Sequence, residues 1–186
     1  MRLRIHLAGL SVCAVVSGCL PDLGPCDPDA ARAVVWDEQG VPAFEGQALL
    51  HASCGRGVYC HSGIAEGSAR FGAPRVLDFD VATLDVRLPS LDGEEERLRV
   101  GVARVREHRH RIYGSTESGD MPPFGDATEL AHENVPRYFR ADGRRLPWID
   151  SREGIAIVRN WLSCDAPFVE RNEGESRLGG DVIEAP

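Results

Sequence analysis

Two thiols, an imidazole and a thioether stand out in this chain of 186 residues. Cys54, Cys60 and His61 fall within "HASCGRGVYCHSG", and Met121 follows in "GDMPPF", sixty residues after His61. Haem c asks these groups of a protein: thiols for its vinyl edges, an imidazole on one face of the iron and often a sulfur on the other. A histidine directly after a cysteine closes the usual attachment pattern, whose cysteines have two residues between them. Here there are five. Met121 is the only methionine besides Met1. A lone methionine is usually core filler. This one stands in a loop before Pro122 and Pro123, whose fixed φ stiffens the backbone around the sulfur. A plain turn is the other reading of that loop.

The spacing has geometric consequences. Residues three apart on a helix lie about 60° apart around the axis, so both thiols of the short pattern can face one porphyrin edge. Residues six apart are separated by about 120° and about 9 Å of rise. A regular helix therefore does not present both thiols, and the chain must bulge, as Gly55 and Gly57 permit. Three arrangements stay open: two thioethers, one thioether from Cys60, or a Cys54–Cys60 disulfide, which needs a compact loop. Zinc held by Cys54, Cys60, His61 and a distant carboxylate is a further possibility, although no second Cys/His pair accompanies it. A Cys–His nucleophile is disfavoured, because adjacency in sequence does not place imidazole on thiolate and no oxyanion motif stands out.

Helices must position these groups. Gly46 to Ser53 is expected as a short helix leading into the Cys–His loop. "DGEEERLRVGVARVREHRHRIYG" is expected as the longest one. Asp92 is its candidate N-cap, and Glu94 to Glu96 lie in the first turn. Leu98, Val102, Val105 and Ile112 form its apolar face, with Gly114 closing it. His108 and His110 read as solvated surface residues. "DSREGIAIVRNWLSC" gives a last helix capped by Ser151, with Ile149 and Ile155 as a hydrophobic staple. Ile155, Val158 and Leu162 share its apolar face, Trp161 lies beside them, and Pro167 blocks its extension. "GAPRVLDFD" has extended character around Val76, Leu77 and Phe79. Residues 128–150 are mixed, with a turn expected at Asp142-Gly143. Glu94 to Glu96 as a cation site is weaker than their reading as a solvated helix start.

The N-terminus bears on compartment. Arg2 and Arg4 precede an apolar run from Leu7 to Val16, about half of what spans a bilayer, so the segment reads as an export signal. It ends in Val16-Ser17-Gly18-Cys19, which resembles a bacterial lipobox. The resemblance implies cleavage before Cys19 and a lipid on its thiol, tethering a domain to the envelope on its periplasmic side. Leu20 rather than Asp follows, which favours the outer membrane. Residues 1–18 are then signal peptide, 19–43 tether and N-terminal segment, 44–169 the folded domain and 170–186 a disordered acidic tail. Within the second segment, residues 20–32 are rich in Pro and Asp and read as the tether. Losing two arginines and no acid takes the formal charge from −8 to −10. Such a chain is a poor nucleic-acid binder and suits a basic protein partner. Cys26, Cys54, Cys60 and Cys164 remain for an oxidising compartment, where unpaired thiols are disfavoured. If Cys54 and Cys60 act together, Cys26 and Cys164 are left as partners.

The order of export signal, helix, Cys–His, helix, Met-Pro-Pro loop and terminal helix with "NWLSCDAP" resembles the class I cytochrome c family, in particular cytochrome c-like domains of Gram-negative lipoproteins. The resemblance runs from Phe44 to Pro167. It implies a mainly α fold, a small helical domain with long irregular loops around haem c. It implies His61 as proximal and Met121 as distal iron ligand. It implies an electron carrier working with a redox protein partner rather than an enzyme. The longer cysteine spacing departs from the family pattern. The alternative expectation is a haem-free, disulfide-stapled module of structural or binding function.

Overall fold

The computed structural model describes residues 20–55, 60–62, 65–70, 72–75, 77–79, 94–121, 137–172, 175–178 and 181–183. The lipobox with Cys19, and Gly57, Asp92, Pro122 and Pro123, lie outside them.

The described chain begins packed against the rest. Leu23 is 5% exposed and belongs to the core. Asp27 caps a short helix α1 (Pro28–Ala31) by accepting the Ala30 N–H. Strands β1 (Val34–Asp37) and β2 (Pro42–Phe44) form a hairpin. Its turn is built by Asp37, whose Oδ1 accepts the N–H groups of Gln39 and Val41 at 2.9 and 2.7 Å, and by Gly40 at φ +76°. Such a carboxylate-closed turn with a positive-φ glycine fixes the register. β3 (Tyr138–Arg140) pairs antiparallel with the other edge of β1, giving the order β2-β1-β3.

Three longer helices pack with this sheet. Helix α2 (Glu45–Cys54) follows β2 directly, and Glu45 through His51 are all buried. A helix buried on nearly every side needs its polar groups satisfied. Arg140 of β3 supplies that for Glu45 at 2.5 Å and also reaches Glu153 of α4 (Arg152–Ser163) at 2.9 Å. Helices α2 and α4 meet where Gly46 faces Trp161: a Cβ on Gly46 would overlap both the Trp161 Cβ and its ring. Helix α3 (Glu94–Ser118) turns Val102, Val105, Ile112 and Tyr113 into the core. The Cys26–Cys164 disulfide, with Cα atoms 5.0 Å apart, ties the chain before α1 to the end of α4.

Several expectations are corrected. The fold is mixed α/β, not mainly α: two three-stranded antiparallel sheets accompany the helices. The strand signals are short. "VVWD", "PAF" and "YFR" are too brief to show a period, and β1 pairs with β3 only through contacts about a hundred residues apart in sequence. Residues 20–32 are docked through Leu23, Cys26 and α1 rather than a free tether. Helix α3 does not close at Gly114. It runs one further turn to Ser118 and ends at Gly119, φ +78°. Gly114 instead admits Pro21, whose ring lies 3.1 Å from where a Cβ would stand. The acidic tail carries β4 (Glu170–Asn172), β5 (Glu175–Leu178) and β6 (Asp181–Ile183), paired with one another as a meander. The Asp142-Gly143 turn is present, with Gly143 at φ +80° and its N–H donating to the Arg140 carbonyl at 2.8 Å. Among the described residues no helix is long and apolar enough to cross a membrane.

Candidate functional site

Cys54 is the last residue of α2 and is 8% exposed within the core. The chain leaves the helix there and comes back. The His61 N–H donates to the Cys54 carbonyl at 3.2 Å, which holds Cys60 and His61 at the end of α2. Cys60 takes φ +51° at this return. A non-glycine residue there stores about 1–3 kcal/mol of strain unless its surroundings hold it. The Cys60 N–H donates to the Ala69 carbonyl at 2.9 Å, which anchors it. Gly55, expected to absorb the bulge, sits at φ −104°.

His61 is 5% exposed and has no freedom left. Its Nδ1–H donates to the Leu77 carbonyl at 2.7 Å. Its own carbonyl accepts the Phe79 N–H at 2.8 Å, and its ring stacks on Phe79 with centroids 4.3 Å apart. Nδ1 carries the proton, so Nε2 is the lone-pair nitrogen and a ligand-ready atom. Burial pushes His61 below the ordinary histidine range; the Leu77 hydrogen bond opposes this, Arg70 adds to it, and Asp78 opposes it.

The two thiols are unlike. Burial, aided by the neighbouring Cys60, pushes the Cys54 thiol up to about 12. Cys60 is half-buried; burial raises it too, and the Arg70 charge opposes the rise. Both are free thiols. The thiolate is the reactive form, and burial keeps the Cys54 thiol protonated in the folded chain at neutral pH.

Arg70 organises the loop from 62 to 78. It is 8% exposed and donates to the carbonyls of Ser62, Ala65, Ala73, Pro74 and Leu77 and to Asp78 Oδ1 at 3.0 Å. It shares the Leu77 carbonyl with His61. Sequence reasoning missed this residue. The only signal is an arginine beside "FGAP", a Gly/Pro stretch that reads as irregular backbone, whose carbonyls need donors from outside a strand or helix. Phe79 is legible only as part of an extended run.

Met121 lies half-buried against the cluster that holds Cys54 and Phe79, and its N–H donates to the Ser115 carbonyl at 2.9 Å, turning the chain after α3. Cys54, Cys60 and His61 are thus brought together at one loop, and Met121 is placed on the same core. His110 is not a free surface group: its Nδ1–H donates to the Pro21 carbonyl at 2.9 Å. Among the described residues no group of three or more His, Cys, Asp or Glu side chains is placed to hold a metal ion, so the zinc set is not assembled there. A cavity of about 30 Å³ lined by Ala48, Leu49, Tyr138 and Trp148 is room for roughly one water, not a small-molecule ligand. Comparison of the chain with protein-family profiles, with curated proteins and with solved structures gives no match.

Proposed function

We propose that this chain is a lipid-anchored electron carrier of the envelope, facing the periplasm, that holds haem c at the Cys54–His61 loop. One observation carries the reading. His61 follows Cys60 directly and gives its Nδ1–H to a backbone carbonyl, which leaves Nε2 for iron. The donor set fits the group: a half-buried thiol at Cys60, a second at Cys54 beside it, and a neutral imidazole fixed in one tautomer. Cys60, with Cys54 through the returned loop, would hold the vinyl edges, His61 one face of the iron and Met121 the other. When bound, haem c supplies a one-electron couple, and a thioether ligand raises its potential. The chain's own part is to fix the imidazole, keep water from it with Phe79 and Leu77, and offer an acidic surface to a basic redox partner. An electron-transfer contact of this kind can be small and weak.

A specific observation also favours the haem-free reading. His61 and Cys54 are already packed among side chains, His61 against Phe79, and the Cys26–Cys164 staple needs no cofactor. Expression of the lipoprotein in a host that matures haem c, followed by a pyridine haemochrome spectrum and intact mass, separates the two. A ferrous band with added haem mass is the expected result. A colourless protein, made where control cytochromes mature normally, overturns the haem reading and leaves the stapled binding module.

A further inference from the structure

The residues that precede α1 do not hang loosely. Pro21 seats on Gly114 and accepts from His110, both on α3. Leu23 is sunk in the core and Cys26 is bonded to Cys164. Asp165, next to that cysteine, pairs with Arg106 and Arg109 of α3 at 3.3 and 3.4 Å. Leu20 is 59% exposed. From Cys19 to Pro21 an extended chain spans at most about 7 Å. A lipid on Cys19 would therefore bring the C-terminal half of α3, around His110 and Gly114, to the membrane, within about one Debye length of its surface.

That part of α3 is the basic island of an acidic protein. Residues 104–111 read "RVREHRHR", four arginines against one glutamate, in a chain of formal charge −8. Val100, Arg104, Glu107 and Arg111 recur at four-, three- and four-residue spacing and share one side of the helix. Val100 and Arg111 are exposed and Arg104 is half-exposed. Glu107 pairs with Arg104 and Glu117 with Tyr113. The exposed Arg104–Glu107 ion pair is weak and exchanges readily for other anions.

We propose that this side of α3 is laid on an anionic lipid surface, with Arg104 and Arg111 on headgroup phosphates and Leu20 and Val100 at the interface. The rest of the acidic molecule is repelled by such a surface, so the basic helix sets the orientation. The proposal rests on the lipid-anchor reading. It does not depend on haem.

The test uses the mature lipoprotein reconstituted into vesicles of phosphatidylcholine, with or without phosphatidylglycerol, and arginine modification by phenylglyoxal read by peptide mass. Arg104 and Arg111 should react about fivefold more slowly in phosphatidylglycerol vesicles, the factor expected for an arginine at an anionic surface. Arg144, exposed at the Asp142-Gly143 turn, should react equally in both. Equal reactivity of Arg104 and Arg111 in both vesicles and in detergent overturns the docking. So does protection that appears only when a soluble acidic protein is added. Intact mass reports the anchor separately: absence of acyl mass sinks the lipid-anchor reading, and the docking with it.

Discussion

Arg70 and His61 share one carbonyl, that of Leu77, and their consequences are linked through it. Arg70 is buried, and among the described residues its partners are the Asp78 carboxylate and five carbonyls. Replacing it by Ala leaves those acceptors and a part-buried charge without their donor. Loss of one partner from such a buried arrangement costs about 3–5 kcal/mol. Arg70→Ala should lower the urea midpoint accordingly, while Arg70→Lys restores only part, since an ammonium cannot form the planar fork. If Arg70 also holds the Leu77 carbonyl in place, the nitrogen chemical shifts of His61 will show the Nδ1–H form in the parent and a tautomer mixture in the alanine variant. His61 itself gives a pH prediction for the chain without haem. Burial holds it below its ordinary value of 6.5. The unfolded chain then takes up a proton first as pH falls. The stability tied to the neutral buried ring is whole above 6.5 and is lost progressively as pH drops toward the folded value. Denaturant titrations should show that slope, and His61→Gln should flatten it.

Two glycines show their worth only at the scale of packed elements. Gly46 is where α2 approaches α4. Gly154 is where α4 begins against the Trp148 carbonyl, with the Ile149 Cα 2.9 Å from the point a Cβ would occupy. In Gly46→Ala the new methyl meets the side-chain root of Trp161, and in Gly154→Ala it meets backbone. Overpacking of this kind costs about 1–3 kcal/mol. Both variants should melt several degrees below the parent by circular dichroism. In an isolated exposed helix the same change would stabilise, because alanine is the better helix former. A gain in melting temperature at Gly46 would show that α2 and α4 do not meet as described.

The whole molecule is closed by one covalent bond. Cys26–Cys164 spans 138 residues. In the chain-entropy model so long a loop contributes about 5 kcal/mol, and removal of a native disulfide from a small secreted domain typically costs about 2–5 kcal/mol. A Cys26→Ser, Cys164→Ser double variant should lose stability in that range without losing the α2–α4 packing. Fluorescence of the buried Trp161 gives a check on both. The same bond, with Leu23 and Pro21, makes the start of the described chain part of the domain.

Local chemistry was legible from the sequence by itself. Cys–His adjacency, the lone methionine before two prolines, the Ser151 cap and the apolar faces of α3 and α4 all act over a few residues, and their spacing reveals them. The Cys26–Cys164 pairing followed once Cys54 and Cys60 were set aside together. The tertiary structure alone decided the rest, because those features depend on residues far apart in sequence. β1 is a strand through Ala43 on one side and Phe139 on the other. Gly114 serves as a seat for Pro21 rather than a helix stop. Cys60 and His61 return to the end of α2 because His61 bonds back to Cys54, with Cys60 itself at positive φ. Arg70 matters because loop carbonyls outside any strand gather around it, and only the folded chain brings five of them within reach of one guanidinium.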